Sequence, residues 1–142
     1  MPRRLAAATI LALALAGCGG ATLSPQMIEG RDLYGTNCSA CHGSTGDGGT
    51  APSLEDVAET FPSCDAHIEW VTLGSEGWKL IHGESYGANN SPIEAVMPSH
   101  GKTLTTGEIA LVAAFERVHY GGDEESTTLR DCGLETDSSA AP

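Results

Sequence analysis

Aromatic side chains are scarce in this chain, at 5% of 142 residues. A domain of this size therefore has few large apolar bodies of its own with which to build a core. Basic residues are scarcer still: seven Lys and Arg face nineteen Asp and Glu, for a net charge of −12, which argues against nucleic acid as a partner. The N-terminal apolar run, Leu5 to Ala16, has 12 residues against the ~20 needed to span a bilayer. No segment sustains a period-two alternation, so strands are not required and an all-α domain is expected.

Against these absences stands one dense local signal, Cys38-Ser39-Ala40-Cys41-His42. Cys-x-x-Cys-His is the spacing at which two thiols form thioethers to haem c and the next histidine reaches the iron. A bare Cys-x-x-Cys also serves dithiol redox chemistry or half a zinc site. The dithiol motif, however, opens a helix after a strand, whereas this one follows a helical pattern and runs into Gly-rich loop. A zinc site would need a second close Cys/His cluster, and the other cysteines are single and far apart.

Arg3 and Arg4, the apolar run and then Leu15-Ala16-Gly17-Cys18 resemble a bacterial lipoprotein signal. The resemblance implies cleavage after residue 17 and lipidation of Cys18, with residues 18–25 as the lipidated N-terminus and spacer. Two acyl chains give stable anchoring where one is marginal. An ordinary signal peptide with an incidental Cys18 is the alternative. Export fits the motif, because haem of this kind is attached outside the cytoplasm. Loss of Arg3 and Arg4 would leave five basic against nineteen acidic side chains, a net charge of −14.

Gly30-Arg31-Asp32-Leu33-Tyr34, then Cys38 to His42, then Gly43, Gly46 and Gly48 closely resemble the N-terminal part of a small class I c-type cytochrome. The resemblance runs from about Gly30 to Val118, with specific ends and a weak middle. It implies three to five helices around one haem c held by Cys38 and Cys41, with His42 as proximal ligand. Pro52 looks like the proline whose carbonyl accepts a hydrogen bond from that histidine. Gly30 and Tyr34 look like the first-helix pair that crosses the last helix near Val112 and Phe115. Met97, 55 residues past His42 and before the final helix, is placed as the sixth ligand, a soft thioether that raises the reduction potential. His82 and His100 are rival ligands. His67 and His119 are expected at the surface, and Trp78 is a candidate donor to a haem propionate.

The five cysteines then divide into Cys18 for lipid, Cys38 and Cys41 for haem, and a remaining Cys64 and Cys132. In an oxidising compartment two leftover cysteines suggest a disulfide, with two unrelated thiols as the alternative. Along the chain, Ser24-Pro25 reads as an N-cap with proline at the first helical position. Cys64 to Leu73 reads as helix with Ile68, Val71 and Trp70 inward and Gly74 as its stop. Residues 77–92 read as loop with at most one helical turn. Thr105-Thr106-Gly107-Glu108 is a capping box opening an apolar helix to about His119. From Gly121 onward the composition reads as an acidic, solvated tail.

The expectation is thus a cytochrome domain over residues 26–120 with an acidic tail over 121–142. It would be an exported, lipid-anchored one-electron carrier rather than an enzyme. Its partners would be redox proteins with basic docking surfaces, met quickly at low salt. The competing readings are a dedicated haem c subunit of a larger respiratory oxidoreductase and an open-site haem enzyme that binds a small molecule.

Overall fold

The computed structural model describes residues 23–134. Cys18 and its expected lipid therefore lie outside the described residues, as does the end of the tail from residue 135. Helix α1 (Pro25–Asn37) starts where Ser24 takes extended backbone and its hydroxyl accepts from the Met27 N–H at 3.2 Å, with Pro25 supplying a pre-set φ at no cost in donors. Met27, Gly30 and Tyr34 form its buried face. The turn α2 (Ser39–His42) continues directly from it.

Helix α5 (Thr106–His119) opens on a capping box in which Thr105 and Glu108 satisfy each other's backbone. Every residue from Ile109 to Arg117 is buried. Val112 and Ile109, almost wholly removed from water, contribute roughly 2 kcal/mol each. Glycine at position 30 makes the α1 to α5 crossing possible. A Cβ there would collide with the Leu111 carbonyl oxygen and approach Phe115 Cβ to 2.8 Å.

A one-turn helix α3 (Val57–Thr60) leads to α4 (Cys64–His82), whose Ser63 cap accepts from the Ala66 N–H. The helix does not stop at Gly74 as expected but kinks there, with φ 64°, and a second segment continues to His82. Six of the sixteen residues in the expected loop over 77–92, those at 77–82, are therefore helix. The rest forms a minimal antiparallel pair, β1 (Ser85–Tyr86) with β2 (Ser91–Pro92). Among the described residues there are six helical elements against the expected three to five, because two are single turns and one lies beyond the anticipated domain end.

That last element, α6 (Glu125–Asp131), corrects the reading of a solvated tail. Glu124 caps it by accepting from the Ser126 and Thr127 N–H groups, Thr128 is buried, and Cys132 is joined to Cys64 with Cα atoms 5.2 Å apart. The acidic composition concealed a helix because its capping residue is itself a carboxylate, counted as tail charge.

Candidate cofactor site

A cavity of about 510 Å³ lies between the α1–α2 junction, α4 and the segment before α5. Cys38 and Cys41 both line it, three positions apart on the same side of a helical turn. Neither takes part in the disulfide; Cys38 is buried and Cys41 exposed. Burial, and next the neighbouring Glu116 carboxylate, push the Cys38 thiol far up, which keeps it neutral.

His42 lines the same cavity. Its Nδ1 lies 2.9 Å from the Pro52 carbonyl oxygen. A carbonyl only accepts, so Nδ1 carries the proton and Nε2 is left with its lone pair, the tautomer a metal ligand needs. The loop that brings Pro52 round is closed by short-range bonds. Gly48 N–H donates to His42 O at 2.9 Å, Ala51 N–H to Cys41 O at 3.1 Å and Leu54 N–H to Gly46 O at 2.8 Å, and the Tyr34 hydroxyl donates to Gly43 O.

Met97 reaches the cavity from the other end of the sequence. It is held by Ser75, whose N–H donates to Met97 O at 2.9 Å and whose hydroxyl accepts from Met97 N–H at 3.1 Å. Two further bonds, His100 N–H to Val71 O and Gly101 N–H to Thr72 O, both 3.1 Å, lay the segment along α4. Gly74 is the seat: any Cβ there would lie 2.5 to 2.6 Å from Ser99 N, Met97 O and Pro98 C. Its left-handed φ and this close approach both demand glycine.

Of the rival ligands, His100 lines the cavity and burial, ahead of the opposing effect of Glu116, lowers its pKa. His82 is exposed and bonded to Glu69 at 3.0 Å. Trp78 is not a cavity donor, because its indole N–H donates to Ser85 O at 2.9 Å. His119 is exposed, stacked on Phe115. His67 is the clear correction: it is 2% exposed, lines the cavity, stacks on Phe61 and places Nε2 3.0 Å from Glu116 Oε2.

Sequence reasoning missed Glu116 and Ser75. Glu116 sits in the same buried stretch as Val112 and Phe115, so a lone carboxylate interrupting the apolar run was the available signal. Ser75 carried no such mark.

The donor set and the lining fit a haem. Two thiols at thioether spacing, an imidazole with its tautomer set and a methionine line one cavity whose wall also includes apolar groups such as Leu54, Val57 and Val71. Fold and cavity together define a small all-α c-type cytochrome, carrying one covalent haem c. Over residues 25–115 the chain matches, and belongs to, the family described as cytochrome c oxidase, cbb3-type, subunit III. Among solved structures it is similar to the c-type cytochrome XoxG from Methylobacterium extorquens AM1, at 20% identity and a TM-score of 0.48, over 75% of this chain and 67% of that one. No curated protein sequence matches it.

Proposed function

We propose that the protein is a one-electron carrier whose haem would be held through Cys38 and Cys41, with His42 and Met97 as the residues that would ligate its iron and Pro52 orienting His42. The observation that carries this reading is the convergence of His42 and Met97, from segments far apart in sequence, on the one cavity that both cysteines line. The bound group supplies one-electron redox chemistry at iron. The protein's own residues would set its potential: the Met97 thioether would favour the ferrous state, and the Pro52 carbonyl holds the imidazole. A methionine so firmly seated argues against an open-site enzyme. Cys18 tethers the carrier at the outer face of a bacterial membrane, and the acidic surface suits basic docking patches on redox partners. The family description also supports a second reading, in which the same electron transfer serves one larger oxidase as a dedicated subunit.

Spectroscopy of the purified haem protein tests the site. The wild type is expected to be six-coordinate and low-spin in both redox states, with the weak red absorption of sulfur-to-iron charge transfer when ferric. Met97→Ala should open the site to carbon monoxide and lower the potential while leaving the haem covalently attached. An unchanged spectrum in that variant, with a change in His100→Ala, would reassign the ligand. Retention of Cys18→Ala in membranes after a high-salt wash would move the anchor elsewhere.

A further inference from the structure

The mechanism above makes no use of the two most deeply buried ionisable groups in the cavity wall, His67 of α4 and Glu116 of α5. They are 2% and 4% exposed, face each other at 3.0 Å and line the cavity that the redox group would fill. Their arrangement is asymmetric. Nε2 of His67 is taken up by the Glu116 carboxylate, whereas Nδ1 is buried with no hydrogen-bond partner. Buried polar atoms are nearly always paired, and an exception calls for an explanation. A buried ion pair is also weak evidence of a stabilising role, since replacing one by packed hydrophobic groups is often neutral or stabilising.

We propose that His67 and Glu116 form a proton site coupled to the redox centre, binding one proton at His67 Nδ1 when the centre is reduced and releasing it on oxidation. The inference rests on the haem-carrier reading above. In the deprotonated state, imidazole with carboxylate, the pair carries one negative charge. In the protonated state, imidazolium with carboxylate, it carries none. A negative charge in a water-poor wall favours the oxidised centre, and its neutralisation favours the reduced one. Coupling between two sites is reciprocal, so electron uptake must then favour proton uptake. The balance is one electron from a one-electron donor and one proton from solvent, with a single N–H bond formed and none broken but that of the proton's carrier.

Other charged and titratable groups surround the pair. From α1 and its end, Tyr34 and Cys38 sense the Glu116 charge, as do His100 from the segment before α5 and Tyr120 at the end of α5. Burial drives the Tyr34 and Tyr120 hydroxyls upward, toward their neutral forms, and Cys38, as a thioether, would not titrate. Arg117, next to Glu116, is committed to the Phe61 carbonyl and to Asp123 at 2.8 Å. Cys64, on the same helix as His67, is in the disulfide and does not titrate.

The experiment is a spectroelectrochemical titration of the haem-loaded protein from about pH 5 to about pH 9, a range that brackets the ordinary histidine region. One proton per electron makes each pH unit a tenfold change in the redox equilibrium, or 59 mV for a one-electron couple. The wild-type potential should fall with rising pH, approaching that slope within a window. Glu116→Gln, which keeps the shape and removes the charge, should move the window to lower pH and raise the potential at high pH. His67→Gln should flatten it, and the exposed His82→Gln should reproduce the wild type. A pH-independent wild-type potential overturns the proposal, and so does a slope that survives in the His67 variant, which would place the proton on the macrocycle's own carboxylates. If Glu116→Gln does not take up haem, the His67 variant and the wild-type profile decide. Purified protein without covalent haem would instead overturn the carrier reading itself.

Discussion

The two walls of the cavity are built by different means. The wall that carries His42 is mostly local: the motif, its loop and Pro52 lie within residues 38–54 and are joined by bonds between near neighbours, such as Leu54 N–H to Gly46 O, with one long-range bond from the Tyr120 hydroxyl to Ser44 O. The wall that carries Met97 is assembled across the chain. Ser75 holds Met97 from 22 residues away, Gly74 offers a seat with no side chain, and α4 is itself pinned to α6 by a disulfide that spans 68 residues. Short loops cost little entropy to close, whereas distant contacts must be won against a larger loss. The distal wall should therefore be the first to loosen under stress, with the proximal wall surviving it.

The largest effect should come from breaking the longest link. Cys132→Ser is expected to cost about 4 kcal/mol on the chain-entropy account of a loop this long. Chemical denaturation followed at two wavelengths would measure it, one reporting helix and one reporting methionine ligation. Loss of the ligation signal ahead of the helix signal supports the contrast, and coincident loss breaks it.

Gly74→Ala should come next, at about 3 kcal/mol, because it combines a left-handed backbone with a collision against the backbone of Ser99, Met97 and Pro98. Limited proteolysis should show new cleavage between residues 84 and 104 and none between 43 and 54. Ser75→Ala removes both polar contacts of a buried hydroxyl with Met97 and should cost about 2 kcal/mol, the Met97 N–H being left without its acceptor. Faster hydrogen exchange at the Met97 amide is the direct readout.

On the proximal side, Tyr34→Phe loses one hydroxyl bond to Gly43 O and should cost only about 1 kcal/mol, without altering the visible spectrum. A spectral change there would show that the proximal wall is less self-sufficient than its local bonding implies.

The smallest effect concerns α6 and acid. Hydrogen bonds from the Thr127 and Ser126 amides hold the Glu124 carboxyl down at about 2, from an ordinary 4.5. A depressed folded-state value means that the cap contributes fully above the ordinary value and is lost as pH falls toward about 2. Amide chemical shifts of Ser126 and Thr127 should follow that titration, and Glu124→Gln should abolish it. A midpoint at the ordinary value would show that the cap is not formed in solution.

Much of this was legible in the residues themselves, because it depends on interactions within a few positions. Ser24-Pro25 caps α1 and Thr105 with Glu108 caps α5 through bonds no longer than one helical turn, and Cys38, Cys41 and His42 meet by spacing alone. The crossing of α1 and α5 at Gly30 was reached only by resemblance, since nothing in the residue itself says which backbone will approach it. The failures share a cause. Gly74 looks like a stop in isolation and is a kink only because another segment lies on it. His67 looks like a surface histidine until Glu116, 49 positions later, is folded against it. The sequence by itself determined the haem motif, the caps of α1 and α5 and the all-α class, since each is specified by neighbours. Only the tertiary structure decided where Met97 is seated, which histidine is buried and that α6 folds back onto the domain, because those outcomes depend on pairs whose separation in the chain carries no local signal.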